Sequence, residues 1–155
     1  MKRSAALFLQ GVVVLLGIGA FVWMLWEPQL EGRNAGATVL QVYFNDPFLA
    51  YVYVGAIAFF AGLHSAFRLL GYVRRGETVS GGAVMALRRI RYCAFILIGF
   101  ILGAEGFLFT VQRGKDDIAG GAMMGLLLMV VSAGVAAAAS VLERHLQARA
   151  GDAPA

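Results

Sequence analysis

Apolar residues along this chain follow neither the alternation of a half-buried strand nor the stripe of an amphipathic helix. They run on in four long blocks broken only by scattered polar positions: Ala5 to Trp26, Phe48 to Leu70, Tyr92 to Val111 and Ile118 to Val141. At 1.5 Å of rise per residue, each block crosses about 30 Å of hydrocarbon as a helix. The pattern predicts a single all-α domain over residues 1–155, a four-helix transmembrane bundle with helices at about 5–26, 47–70, 83–111 and 117–146.

The polar punctuation between the blocks sets the helix ends. Asn45-Asp46-Pro47 places a capping residue before a proline at the first helical position, where a missing N–H removes no bond. The second helix is expected to end near Leu70, with Gly71 and Arg74-Arg75-Gly76 in the turn. Ser80 is the next cap, and Ala83 to Ile90 reads either as an extension of the third helix or as an amphipathic helix in the membrane plane. Asp116-Asp117 opens the fourth helix, two carboxylates complementing its positive end. A cation site there is disfavoured by the adjacent Arg113 and Lys115. Within the long Glu27 to Asp46 loop, Thr38 to Phe44 suits a short strand or an interfacial segment, and Gln147 to Ala155 reads as a disordered polar tail.

Composition excludes a soluble domain: 60% of residues are hydrophobic, 14% are charged and the mean hydropathy is +0.76. The first block is longer than a signal-peptide core and lacks an A-x-A site before Glu27-Pro28, so it is expected to remain as a helix anchored by Trp23 and Trp26. Charge orients the bundle. Lys2, Arg3, Arg68, Arg74, Arg75, Arg88, Arg89, Arg91, Arg144 and Arg149 share one side, against Arg33, Arg113 and Lys115 on the other. Short basic segments stay inside, which puts both termini and the central loop in the cytoplasm. The pI of 9.6 thus reports topology rather than a nucleic-acid partner.

Candidate chemistry is sparse. Glu105 lies roughly 6 Å to the outer side of the midplane of its span. It is expected to bond a tyrosine hydroxyl, Tyr53 first, or to serve proton or cation coupling. Gln10 and His64 fall at matching depth in the inner half and are expected to meet. His145 lies beyond the inner end of the fourth helix and gives His64 no axial partner, so no cofactor and no metal is expected. Cys93, the single cysteine, has no redox partner. Gly99 and Gly103, with Gly121 and Gly125 and then Ser132, Ala136 and Ser140, suggest close packing of the third helix on the fourth, or a homodimer face.

Several spaced motifs carry a resemblance. Asp46-Pro47-Phe48, Phe67-Arg68-Leu69-Leu70, Leu87-x-x-Ile90-x-Tyr92-Cys93-Ala94, Asp116-Asp117-x-Ala119-Gly120 and Val141-Leu142-Glu143 resemble a bacterial family of four-helix membrane proteins, domain of unknown function 2975. The resemblance covers almost the whole chain and implies topology rather than chemistry. It also implies a short charged tail ending in an acidic and apolar stretch, from which the Arg149-to-Ala155 ending departs, and in some members a neighbouring gene for a small helix-turn-helix regulator.

The resulting expectation is a non-enzymatic regulatory or partner-binding membrane module acting through its basic cytoplasmic loop. Arg68, Arg74, Arg75, Arg88, Arg89 and Arg91 are its candidate contacts with lipid or with another membrane or cytoplasmic protein. The alternative is a small oligomeric transporter or channel built around Glu105.

Overall fold

The computed structural model describes residues 3–30, 38, 47–112 and 119–151. These form four helices: α1 (Arg3–Leu30), α2 (Pro47–Arg75), α3 (Gly81–Phe107) and α4 (Ala119–Gly151), with a π-helical turn, Leu108–Gln112, continuing α3. Each of the four is long and apolar enough to cross a membrane. Pro47 is the first residue of α2, as its fixed φ favours. Asn45-Asp46, residues 39–44, Asp116-Asp117 and the neighbouring Arg113 and Lys115 lie outside the described residues.

The helices overrun the apolar blocks. Leaving the hydrocarbon does not end a helix; a residue that satisfies or breaks the last turn does, as the end of α2 shows. α2 passes Leu70 and keeps Gly71 buried within it. It stops at Gly76, whose φ of 78° is the left-handed value that glycine adopts without strain. There the Gly76 N–H donates to the Val73 carbonyl (3.2 Å) and the Glu77 N–H to the Tyr72 carbonyl (2.9 Å), the paired bonds of a Schellman cap. Ser80 Oγ then accepts the Ala83 N–H at 3.3 Å and α3 starts at once. Of the two readings of Ala83 to Ile90, the continuous extension is the one formed. At the far end, Gln147 to Gly151 are helical rather than a disordered tail.

Neighbours in sequence are neighbours in space: α1 packs on α2, α2 on α3 and α3 on α4, all antiparallel, while the remaining helix pairs touch marginally at most. Among the described residues, every buried apolar side chain except Leu87 is an alanine: Ala6, Ala58, Ala83, Ala86, Ala94, Ala136 and Ala139. The large apolar residues point outward, Phe8 being 73% exposed, Trp23 70% and Val130 65%. Water would reverse this distribution. In lipid the outer surface is already in an apolar solvent, and small residues let the helix backbones approach.

Polar bonds and glycine notches join the sequential helix pairs. Pro28 carries no N–H for the Met24 carbonyl one turn earlier, and the Tyr53 hydroxyl of α2 donates to that oxygen at 2.9 Å. At the other end of the α1–α2 pair, Gln10 Nε2 donates to the Phe67 carbonyl at 3.2 Å. Between α2 and α3, the Tyr51 hydroxyl donates to the Phe100 carbonyl at 3.0 Å and lies in the notch at Gly103, and Phe48 stacks on Phe107 at 5.2 Å. Cys93 meets α2 at Gly62, where an added Cβ would sit 3.4 Å away. The Tyr72 ring covers Gly82, leaving no room for any side chain there: a Cβ would fall 2.6 Å from its Cζ.

Gly121 and Gly125 do face α3, but Gly103 faces α2 and Gly99 meets no neighbour. The two glycine pairs therefore do not interlock.

Replacing Tyr53 by phenylalanine leaves the Met24 carbonyl unbonded in hydrocarbon. We expect Tyr53→Phe to cost about 1 kcal/mol in denaturant unfolding from bicelles, the upper range for such bonds in membranes.

Candidate functional site

The antiparallel order gathers one end of the bundle from four places: the start of α1, the end of α2, the start of α3 and the end of α4. Arg3, Arg68, Arg74, Arg75, Arg88, Arg89, Arg91, Arg144 and Arg149 all lie there. Facing them among the described residues are two carboxylates, Glu77 and Glu143.

Glu143 is 3% exposed, against the α3–α4 seam. Its Oε1 accepts the Arg88 Nε–H at 2.9 Å and lies 3.5 Å from Gln147 Nε2. Its Oε2 meets Arg91 Nη1 at 2.9 Å as an ion pair, outside hydrogen-bond geometry. A buried carboxylate requires such partners. Arg88 and Arg91 are one turn apart on α3, so both reach the same carboxylate from one helix face. Arg91 also lies 5.3 Å from the Tyr92 ring centroid. These two arginines, candidate contacts for lipid or a partner, are therefore engaged within the chain, with half of the Arg88 side chain still exposed. Glu143 was missed as a site residue because the sequence shows it only as the close of a helix. The signal that could have found it is its spacing of seven from Ala136 and four from Ala139, both buried on the same stripe.

Three of the other arginines, Arg68, Arg74 and Arg75, line a half-open cleft of about 320 Å³ between α1 and α2, together with Gln10, Phe67, Gly71 and Tyr72. Arg68 Nη2 donates to the Tyr72 hydroxyl at 3.3 Å, and the Arg75 guanidinium lies 5.1 Å from the Tyr72 ring centroid. Arg75 Nε also pairs with Glu77 at 3.1 Å, both side chains being half exposed. Arg74 and Arg89 have no ion pair among the described residues. Arg89 lines a second, smaller cleft of about 40 Å³ on the α2–α3 side, beside Ser65 and Gly82.

Within the spans, the expected polar pairs do not form. Tyr53 bonds α1, while Glu105 faces the opposite way and covers Gly125 of α4, whose added Cβ would lie 2.8 Å from its Cδ. The carboxylate takes no hydrogen bond among the described residues. Gln10 is buried but bonds Phe67 one turn past His64, and His64 is exposed. No group of His, Cys, Asp and Glu among the described residues is arranged to hold a metal ion.

A model of the family described as "Protein of unknown function (DUF2975)" matches residues 31–150. This chain belongs to that family. It is 31% identical over 148 residues to the uncharacterized membrane protein YoaS of Bacillus subtilis (strain 168), an alignment covering 95% of this chain and 92% of that protein. No solved structure matches it. Membership agrees with the four apolar helices, and it makes this a membrane protein.

Substitutions at the clamp should be asymmetric. Glu143→Gln leaves two arginines, one of them half exposed, that can turn to water, and should cost about 1–2 kcal/mol. Removing both arginines as Arg88→Met with Arg91→Met strands the buried carboxylate and should cost about 3 kcal/mol or more. Chemical unfolding in bicelles measures both, and equal costs would contradict the clamp.

Proposed function

We propose that this chain is a non-enzymatic docking module of the bacterial inner membrane. Both termini and the α2–α3 turn face the cytoplasm, and the exposed arginines beside that turn hold an anionic partner. The observation that carries this reading is the division of the arginine end. Arg88 and Arg91 are both held by Glu143, whereas Arg74 and Arg89 have no carboxylate among the described residues and Arg75 has only a surface pair. Arg75 and Glu77 offset each other, and Arg74 and Arg89 leave a net positive face beside the turn. The arginine-rich end is inside by the same rule that retains short basic loops in the cytoplasm.

A second reading, a small oligomeric transporter or channel, rests on Glu105. Its carboxylate lies within a span and takes no hydrogen bond among the described residues, which is costly for a polar group at that depth. Neither cleft at the arginine end is lined by Glu105, and on this reading several copies would form the conduction path.

Orientation is tested with a single thiol. In a Cys93→Ala background, Thr78→Cys in the α2–α3 turn should resist a membrane-impermeant maleimide in intact cells and react after lysis. Reaction in intact cells would invert the topology.

Docking is tested with a photo-crosslinking residue at Val79. Its adduct should be lost when Arg74, Arg75 and Arg89 are changed to glutamate and be retained in Glu105→Gln. The opposite pattern would favour transport.

A further inference from the structure

The cleft between α1 and α2 is built in a way that an exposed arginine face alone does not require. Its floor is Gly71, which is buried inside α2 and has no side chain to fill the space: an added Cβ would lie 3.6 Å from Gln10 Nε2 and 3.9 Å from Arg75 Nη1. Gln10 is 7% exposed, and its amide nitrogen uses one hydrogen in the bond to the Phe67 carbonyl. A primary amide carries two N–H donors, so one remains at the floor.

Tyr72 organises the rim. Its hydroxyl accepts from Arg68 and its ring lies under the Arg75 guanidinium, while its own position is set by the bare backbone of Gly82. The Arg75–Glu77 pair engages Nε, leaving the terminal nitrogens of Arg75 without a carboxylate among the described residues. Arg68, Arg74 and Arg75 thus present guanidinium donors around a space of about 320 Å³, within the range of sites that hold a small ligand or headgroup.

Guanidinium groups clustered about an amide donor select an oxyanion, and their planar forks match phosphate oxygens. The cleft also includes Phe67, 39% exposed, at the end of a helix that continues into the apolar span. A phosphate bound here lies where headgroups meet acyl chains. We propose that this cleft binds the phosphate of an anionic phospholipid, with Arg68, Arg74 and Arg75 around the phosphate, Gln10 at the floor and the acyl chains along the outer surface of α1 and α2. This rests on the docking reading in placing the arginine end at headgroup depth, but it does not require a protein partner.

Native mass spectrometry of the full chain, delipidated and titrated with dioleoylphosphatidylglycerol, tests it. Binding should exceed that of dioleoylphosphatidylcholine. It should also fall about fivefold for each arginine removed in Arg68→Gln and Arg74→Gln, the weight of one basic group near an anionic surface. Gly71→Leu, which fills the cleft without changing charge and replaces glycine by a better helix former, should abolish the preference.

Helicity by circular dichroism identifies any variant that fails to fold, and the arginine variants then decide the question. Equal binding of the two lipids would overturn the inference, as would full phosphatidylglycerol binding by folded Gly71→Leu or by the arginine variants. Displacement of the lipid by millimolar inorganic phosphate would also overturn it, in favour of a soluble phosphate ligand. Loss of the Val79 adduct with lipid binding intact would leave this site standing. The converse would remove the lipid and leave the docking face.

Discussion

Apolar side chains gain little by leaving lipid for a neighbouring helix, so the contacts that hold these four helices together are close backbone approach and polar bonds. The interior follows from that constraint. Alanine fills the seams, and glycine is placed where a larger side chain must pass: Gly82 under Tyr72, Gly103 under Tyr51 and Gly125 under Glu105. At the two ends of the α1–α2 pair the accepting group is a backbone carbonyl, and at Met24 that carbonyl is left free by Pro28. Each of the three sequential pairs carries its own contacts. None depends on closing α1 against α4.

The Glu143 clamp joins α3 to α4 and also shapes the surface. A basic end of this density attracts anions everywhere along it. Burying one carboxylate between Arg88 and Arg91 turns those two side chains to the α3–α4 seam, while Arg68, Arg74 and Arg75 line the cleft between α1 and α2. Structure and recognition are thereby assigned to different arginines on adjacent helices. Tyr72 links them: it lies over the first turn of α3 at Gly82 while holding Arg68 and Arg75 of α2.

Much of the architecture was legible because the bilayer imposes a length on apolar runs, and because Ser80 and Gly76 are strong local signals with local causes. Helix ends beyond the hydrocarbon were read short: composition changes at the membrane boundary, whereas hydrogen bonding ends a helix, as the Schellman bonds at Tyr72 and Val73 show for α2. The polar pairs were misjudged for a geometric reason. Counting along a helix gives depth, not direction. Tyr53 and Glu105 are near one level, yet one points to α1 and the other to α4. Gln10 likewise reached the backbone at Phe67 rather than the side chain of His64. Glu143 lies 55 residues from Arg88, and only its place on the stripe of Ala136 and Ala139 connects them.

The central claim is that the arginines of one membrane face are divided between a structural clamp and a ligand-facing set. Solid-state NMR of the protein in phosphatidylglycerol bilayers, with carbon-labelled arginine and phosphorus dephasing, reads that division directly. The account predicts strong dephasing of the Arg68, Arg74 and Arg75 guanidinium carbons by lipid phosphorus and weak dephasing of Arg91, whose guanidinium is held by Glu143. Dephasing of Arg91 equal to that of the other three would contradict it.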